Sequence, residues 1–211
     1  MNEILQKDKE LLVFLNNFDL KYIDTFFLFV TKQIHWTPIF LFVFYLLWKK
    51  IGWRGLGVSL LFVAMILMVC DQTTNLFKFG FERLRPINDS EIKDNLRILI
   101  TRNSYSFFSG HASNSMATTL FLFLIFRNYY KYGFLLFLFP LIFAYSRIHL
   151  ALHFPSDIIV GYFFGMTIGV IFYYLYKKYY SVSAKNNYLI ITTTLVLLYF
   201  ILCKSFVWSM K

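Results

Sequence analysis

The sequence predicts an all-α protein, a polytopic membrane bundle of about six transmembrane helices, and three observations carry that expectation. The 211 residues are 58% hydrophobic and 22% aromatic with only 15% charged, and the mean hydropathy is +0.58. That is too apolar for an ordinary soluble domain of this size. The apolar residues gather into runs, among them 56–70, 134–144 and 158–176, separated by short polar links. Disorder, fibres and coiled coils are thereby excluded. The formal charge of +10 sits largely where apolar runs end, as membrane topology requires. With no helix-turn-helix, zinc-finger or RNP-like pattern, it does not point to nucleic acid.

A spanning helix needs about 20 largely apolar residues, each rising about 1.5 Å. Residues 1–35 read as an interfacial amphipathic segment in which Leu11, Leu12, Phe14, Leu15 and Phe18 can share one face. They lack the charged start and apolar core of a cleavable signal peptide, so internal helices are expected to direct insertion. Residues 36–207 form the transmembrane domain. Its first span, 36–48, is short or tilted, because Lys32, Gln33 and His35 interrupt the run and Pro38 follows. The segments 56–76, 112–126, 133–148, 158–176 and 188–207 supply the others. Cys70 and Cys203 lie in apolar segments without metal-ligand spacing and read as small buried hydrophobes.

With six spans, the links after Trp48, Phe126 and Tyr176 share a side. They carry Lys49, Lys50, Arg54, Arg127, Lys131, Lys177, Lys178 and Lys185 with no acidic residue, so that side is expected to be cytoplasmic. Tyrosines such as Tyr129, Tyr132, Tyr174 and Tyr179 form an interfacial belt there. The links 78–108 and 149–156 then face outward, and their cations need another explanation.

Those outward links place Lys78, Arg85, Ser109, Gly110, His111, Arg147, His153 and Asp157 at or near helix ends. Three cations can neutralise phosphate oxygens, a Ser-Gly helix start offers backbone donors to an anion, and two histidines can divide nucleophile and acid roles. Asp71, Asn75 and Lys78 fall on one helical stripe, so Asp71 is expected to hold or balance Lys78. His153 and Asp157 are four apart, close enough for a carboxylate to fix the imidazole tautomer, and Pro155 suits a helix's first turn.

Lys78-(six residues)-Arg85-Pro86, Ser109-Gly110-His111 and Ser146-Arg147-(five residues)-His153-(three residues)-Asp157 together resemble the three-part signature of the PAP2 superfamily, a group of lipid phosphatases and haloperoxidases. The resemblance implies a PAP2/haloperoxidase-like helical core and a phosphatase without cofactor or metal. It makes His153 the nucleophile that forms a phosphohistidine, Asp157 its orienting carboxylate and His111 the general acid. It makes Lys78, Arg85 and Arg147 the phosphate clamp, completed by Ser109 and the Gly110 backbone. The expected partner is a lipid phosphate or diphosphate in the membrane. Undecaprenyl diphosphate is favoured, with lipid A, phosphatidate and phosphatidylglycerophosphate as alternatives. The bacterial inner membrane is the expected location, with the site facing outward. A lipid transporter or scaffold that binds a headgroup without turnover is the reading from another class. It would need the cations but neither histidine.

Phe108 stands where the family often has proline. His149, four before His153, reads as a packing or lip residue rather than a metal ligand. The mixed charges of the outer loop, Glu82, Arg83, Asp89, Glu91, Lys93, Asp94, Arg97 and Arg102, read as solvated surface. Arg97 or Arg102 is also a candidate contact for a second phosphate.

Overall fold

The computed structural model describes residues 2–17 and 21–183, and none of these forms a strand. Six α-helices follow in order: α1 (Asn2–Asn16), α2 (Lys21–Val30), α3 (Thr37–Phe81), α4 (Gly110–Phe126), α5 (Leu138–His149) and α6 (Pro155–Ser183). The protein is an all-α integral membrane bundle. The stretches Gln33–Asn88 and Pro155–Tyr180 are each long and apolar enough to cross a bilayer, and Gly133–His149 is a shorter apolar stretch. The expected span 188–207, with Cys203 and Lys185 near it, lies outside the described residues.

α3 is divided at Gly52, whose φ of 67° and ψ of −179° are open to glycine and closed to side chains with a Cβ. Before the break, Trp36 meets Phe139 and Phe143 of α5, and further along the Leu46 carbonyl accepts from Tyr130 Oη. After it, Phe62 packs on Phe121 and Tyr176, and Thr74 reaches Gly110. The segment 37–51 therefore descends and 53–81 returns. These are two of the expected spans, the second running on past residue 76.

The centre of the bundle is the seam of α4 on α6. Gly161, Gly165 and Gly169 recur every four residues along α6 and face the Ala- and Ser-rich side of α4. Small residues let two membrane helices approach closely, which replaces the hydrophobic drive that lipid cannot supply. A Cβ on Gly165 would sit 2.4 Å from the Ser113 carbonyl oxygen, so this contact tolerates only glycine.

α1 lies against the catalytic end of the bundle. Leu12 is fully buried with Ala144, Ile148, Phe154 and Ile158, while Leu11 and Phe14 remain exposed. The inward stripe is thus Asp8, Leu12, Leu15 and Asn16 rather than the wholly apolar face the sequence suggests, and Phe18 lies outside the described residues. The polar pair turns inward because it satisfies backbone groups. Asn16 bonds the His149 carbonyl and the Arg97 N–H, both at 2.7 Å, and Asp8 accepts the Ser156 N–H at 2.9 Å.

Candidate active site

The motif residues converge where 53–81 ends, α4 begins and α5 passes into α6. Lys78 stands in the last turn of α3, which Glu82 closes in the left-handed region (φ 47°). The chain then runs extended into Arg85, and both its Nε and Nη2 donate to Ser104, to the carbonyl at 2.8 Å and the hydroxyl at 3.0 Å. Arg85 Nη1 donates to the Leu152 carbonyl at 2.6 Å and lies 3.2 Å from His153 Nε2.

Ser109 is the N-cap of α4, its Oγ accepting the Ala112 N–H at 3.4 Å. Its own N–H donates to the Asp157 carbonyl at 3.1 Å, which ties the start of α4 to α6. At this helix start the Gly110 and His111 N–H groups have no partner among the described residues, leaving two donors and the positive end of a helix dipole for an anion. Phe108, in the place of the usual proline, is buried between Phe77 and Phe164 and removes no chemical group.

α5 ends in a Schellman turn. The Leu152 N–H returns to the Arg147 carbonyl and the Ala151 N–H to Ile148, each at 2.9 Å, with Ala151 in the left-handed conformation (φ 50°). This turn points the Leu152 carbonyl at Arg85 and delivers His153 into the site. His153 is 2% exposed and its Nδ1 stands 3.4 Å from Asp157 Oδ2, a spacing that tightens readily when substrate binds. With Nε2 facing the Arg85 donor, the consistent tautomer places the proton on Nδ1, toward Asp157.

The electrostatics is that of an uncompensated cationic cavity. Lys78 and Arg147 have no carboxylate partner among the described residues, and Arg85 is held by neutral oxygens. Arg147 is 5% exposed with an unpartnered Nε. Lys78, Arg85, Arg147 and His153 all lie within electrostatic reach of His111. Burial, reinforced by Arg85, Lys78 and Arg147, holds the His153 imidazole well below its ordinary pKa, in the neutral form that can attack. Buried cations left unpaired are costly, and an arriving anion relieves that cost.

Three expectations change. Asp71 takes the Asn114 amide at 2.7 Å and forms no ion pair with Lys78, whose ammonium is thereby left for substrate. Arg97 pairs with Asp24 and donates its backbone N–H to Asn16, so it is a structural tie rather than a second-phosphate contact. Arg83 is not solvated surface. Its Nη1 donates to Asp157 Oδ1 at 2.7 Å and its Nη2 to Asp8 Oδ2 at 2.8 Å. Sequence reasoning missed Arg83 and Asp8, and their only signal was a lone arginine inside the Lys78–Arg85 spacing. His149 is buried, with Nε2 on Asp24 at 2.8 Å and its ring against Phe27. Among the described residues no three His, Cys, Asp or Glu side chains converge as a metal site. An apolar cavity of about 630 Å³ between 37–46, α4 and α5 holds none of the motif residues.

The sequence profile of the PAP2 superfamily matches residues 55–181. The lipid A 4′-phosphatase of Bacteroides thetaiotaomicron is 30% identical over 172 residues, covering 80% of this chain and 76% of that protein. The lipid A 4′-phosphatase of Porphyromonas gingivalis is 31% identical over 183 residues, covering 83% and 75%. Among solved structures, the PAP2 type phosphatidylglycerolphosphate phosphatase of Bacillus subtilis aligns with a TM-score of 0.62 at 15% identity, over 86% of this chain and 88% of that one. LpxE of Aquifex aeolicus aligns with a TM-score of 0.59 at 22% identity, over 77% and 92%. These two alignments establish a shared fold.

Proposed function

This chain belongs to the PAP2 superfamily and is a membrane lipid phosphatase, and from that premise we propose that it removes a phosphate from a lipid at the outward face of the bacterial inner membrane. The observation that carries the reading is the buried set of Lys78, Arg85 and Arg147, unpaired with any carboxylate among the described residues and gathered around two histidines.

His153 Nε2 attacks phosphorus while the bond to the lipid oxygen breaks, and His111 gives its proton to the departing alkoxide. Water, deprotonated by the now neutral His111, then attacks the phosphohistidine and releases inorganic phosphate, regenerating both histidines. Lys78, Arg85 and Arg147 offset the charge on the equatorial oxygens, together with the Gly110 and His111 N–H groups. Asp157 stabilises the imidazolium character that develops on His153. The fixed cations supply the electrostatic stabilisation, so the mechanism calls on no metal.

The two lipid A 4′-phosphatases, alike to this chain over three quarters of their length, favour a phosphate monoester on a glycolipid of the lipid A kind. Undecaprenyl diphosphate, which the sequence resemblance alone favours, is the second reading, since Arg102 is within electrostatic reach of both Arg85 and Arg147 and could meet a second phosphate.

Purified protein in detergent with chelator is tested on lipid A bisphosphate, undecaprenyl diphosphate, phosphatidylglycerol phosphate and phosphatidate. The reading expects the highest kcat/KM on lipid A, and His153→Ala to abolish phosphate release while the protein stays folded. A preference for undecaprenyl diphosphate would reverse the substrate order. Release that persists in His153→Ala would overturn the mechanism.

A further inference from the structure

Building on the reading of His153 as nucleophile, we infer that Arg83 and Asp8 are positioning residues of the same reaction, so that helix α1 belongs to the catalytic apparatus. The orienting carboxylate has two oxygens with separate tasks. Asp157 Oδ2 accepts the Phe154 N–H at 3.0 Å and faces His153 Nδ1. Oδ1 is taken by Arg83 Nη1 at 2.7 Å. With both oxygens held, the carboxylate plane cannot rotate away from the imidazole.

Arg83 is itself fixed on every side. Nη1 also donates to Ser156 Oγ at 2.8 Å, Nη2 donates to Asp8 Oδ2, and the guanidinium lies 4.0 Å over the Phe154 ring. Asp8 completes the set from α1. Its side chain is 7% exposed, and besides Arg83 it accepts the Ser156 N–H and hydroxyl. That N–H is one of the unsatisfied donors in the first turn of α6, so Asp8 caps from another helix the very turn that carries Asp157. A helix that only shielded the site from lipid would not place a buried carboxylate on the catalytic turn.

The His153–Asp157 pair is faced by Lys78 from α3, His111 from α4, Arg147 from α5, Arg85 and Arg83 from the outer loop, and, behind Arg83, Asp8 from α1. Removing Arg83 takes away a positive charge and makes a proton on the pair easier to hold, so the acid limb of the rate profile moves to higher pH. Removing the charge of Asp8 does the opposite.

The test uses the full chain in detergent, phosphate release from dihexanoyl phosphatidate, and pH profiles of kcat and kcat/KM. Arg83→Gln is expected to lower kcat by about 10- to 100-fold with KM within about twofold, as a lost outer partner of a catalytic group does. Its acid limb should rise, and Arg83→Lys should recover part of the rate. Asp8→Asn should lower kcat by about three- to tenfold and move the limb down, and the double variant should be no slower than Arg83→Gln, because the two act through one contact. Asp8→Asn and Arg83→Lys carry the test if Arg83→Gln does not fold. Losses that add in the double variant, or limbs that stay in place, overturn the inference. A wild type inactive on every lipid phosphate would instead overturn the function proposed above.

Discussion

Arg85 Nη1 lies 3.2 Å from His153 Nε2, so the clamp and the nucleophile share one hydrogen-bonding position. A phosphate entering the site takes the guanidinium donor and in the same movement meets the imidazole lone pair. Arg85 can do this because Ser104 and Leu152 hold the rest of its fork. Lysine cannot keep three oxygens and a phosphate at once, and Arg85→Lys should lower kcat/KM by about 100-fold or more with the fold intact. Steady-state phosphate release alongside a thermal melt checks this.

The pH profile follows from the setting of His153. Burial first, and then Arg85, Lys78 and Arg147, hold its pKa down, and a nucleophilic imidazole is lost only when it gains a proton. Falling pH therefore inactivates the free enzyme late, and the acid limb of kcat/KM should lie below about pH 6, under the ordinary histidine value. An acid limb near pH 7 would contradict the cationic setting of the nucleophile.

Gly165→Ala tests whether the α4–α6 seam sets the distance between the two histidines. The new methyl would meet the Ser113 carbonyl oxygen, a backbone atom that cannot rotate aside, so the helices must part at the level that aligns Ser109 with Asp157. Overpacking of this kind costs about 1–3 kcal/mol, and a small misplacement of reacting groups costs up to about 100-fold in rate. Loss of both thermal stability and kcat is expected, and a variant with wild-type kcat would uncouple the seam from the chemistry.

Arg97→Ala should behave as a structural lesion. Its partners are Asp24 and Asn16, and the half-exposed pair is worth about 1–2 kcal/mol after solvent screening. The melting temperature should fall while the ratio of diphosphate to monophosphate turnover stays constant. A changed ratio in this variant would return Arg97 to the headgroup site.

Spacing made most of the site legible. Lys78, Arg85, Arg147, His111, His153 and Asp157 meet because each is fixed at a helix end by local rules: a last turn, an N-cap, a Schellman turn, a proline at a helix start. The Gly52 reversal was legible as two spans, though not as one residue. Arg83 and Asp8 were not legible, since charges in a mixed-sign loop and on a polar helix look solvated until tertiary packing pairs them. Asp71 misled for the same reason, its partner being on α4 and not on its own stripe.

The turn at Gly52 has a consequence for how the molecule meets its surroundings. Because the chain doubles back there, α1 and the phosphate clamp share one aqueous compartment, although three dozen residues of lipid-embedded helix separate them along the chain on either side of the bend. Anything that reaches the headgroup from the bulk also reaches α1: protons, impermeant reagents, divalent ions gathered on neighbouring anionic lipids. The exposed side of α1, with Glu3 and Lys7, is thus a handle on the catalytic compartment, and a thiol placed there would report from which side of the membrane the substrate is drawn.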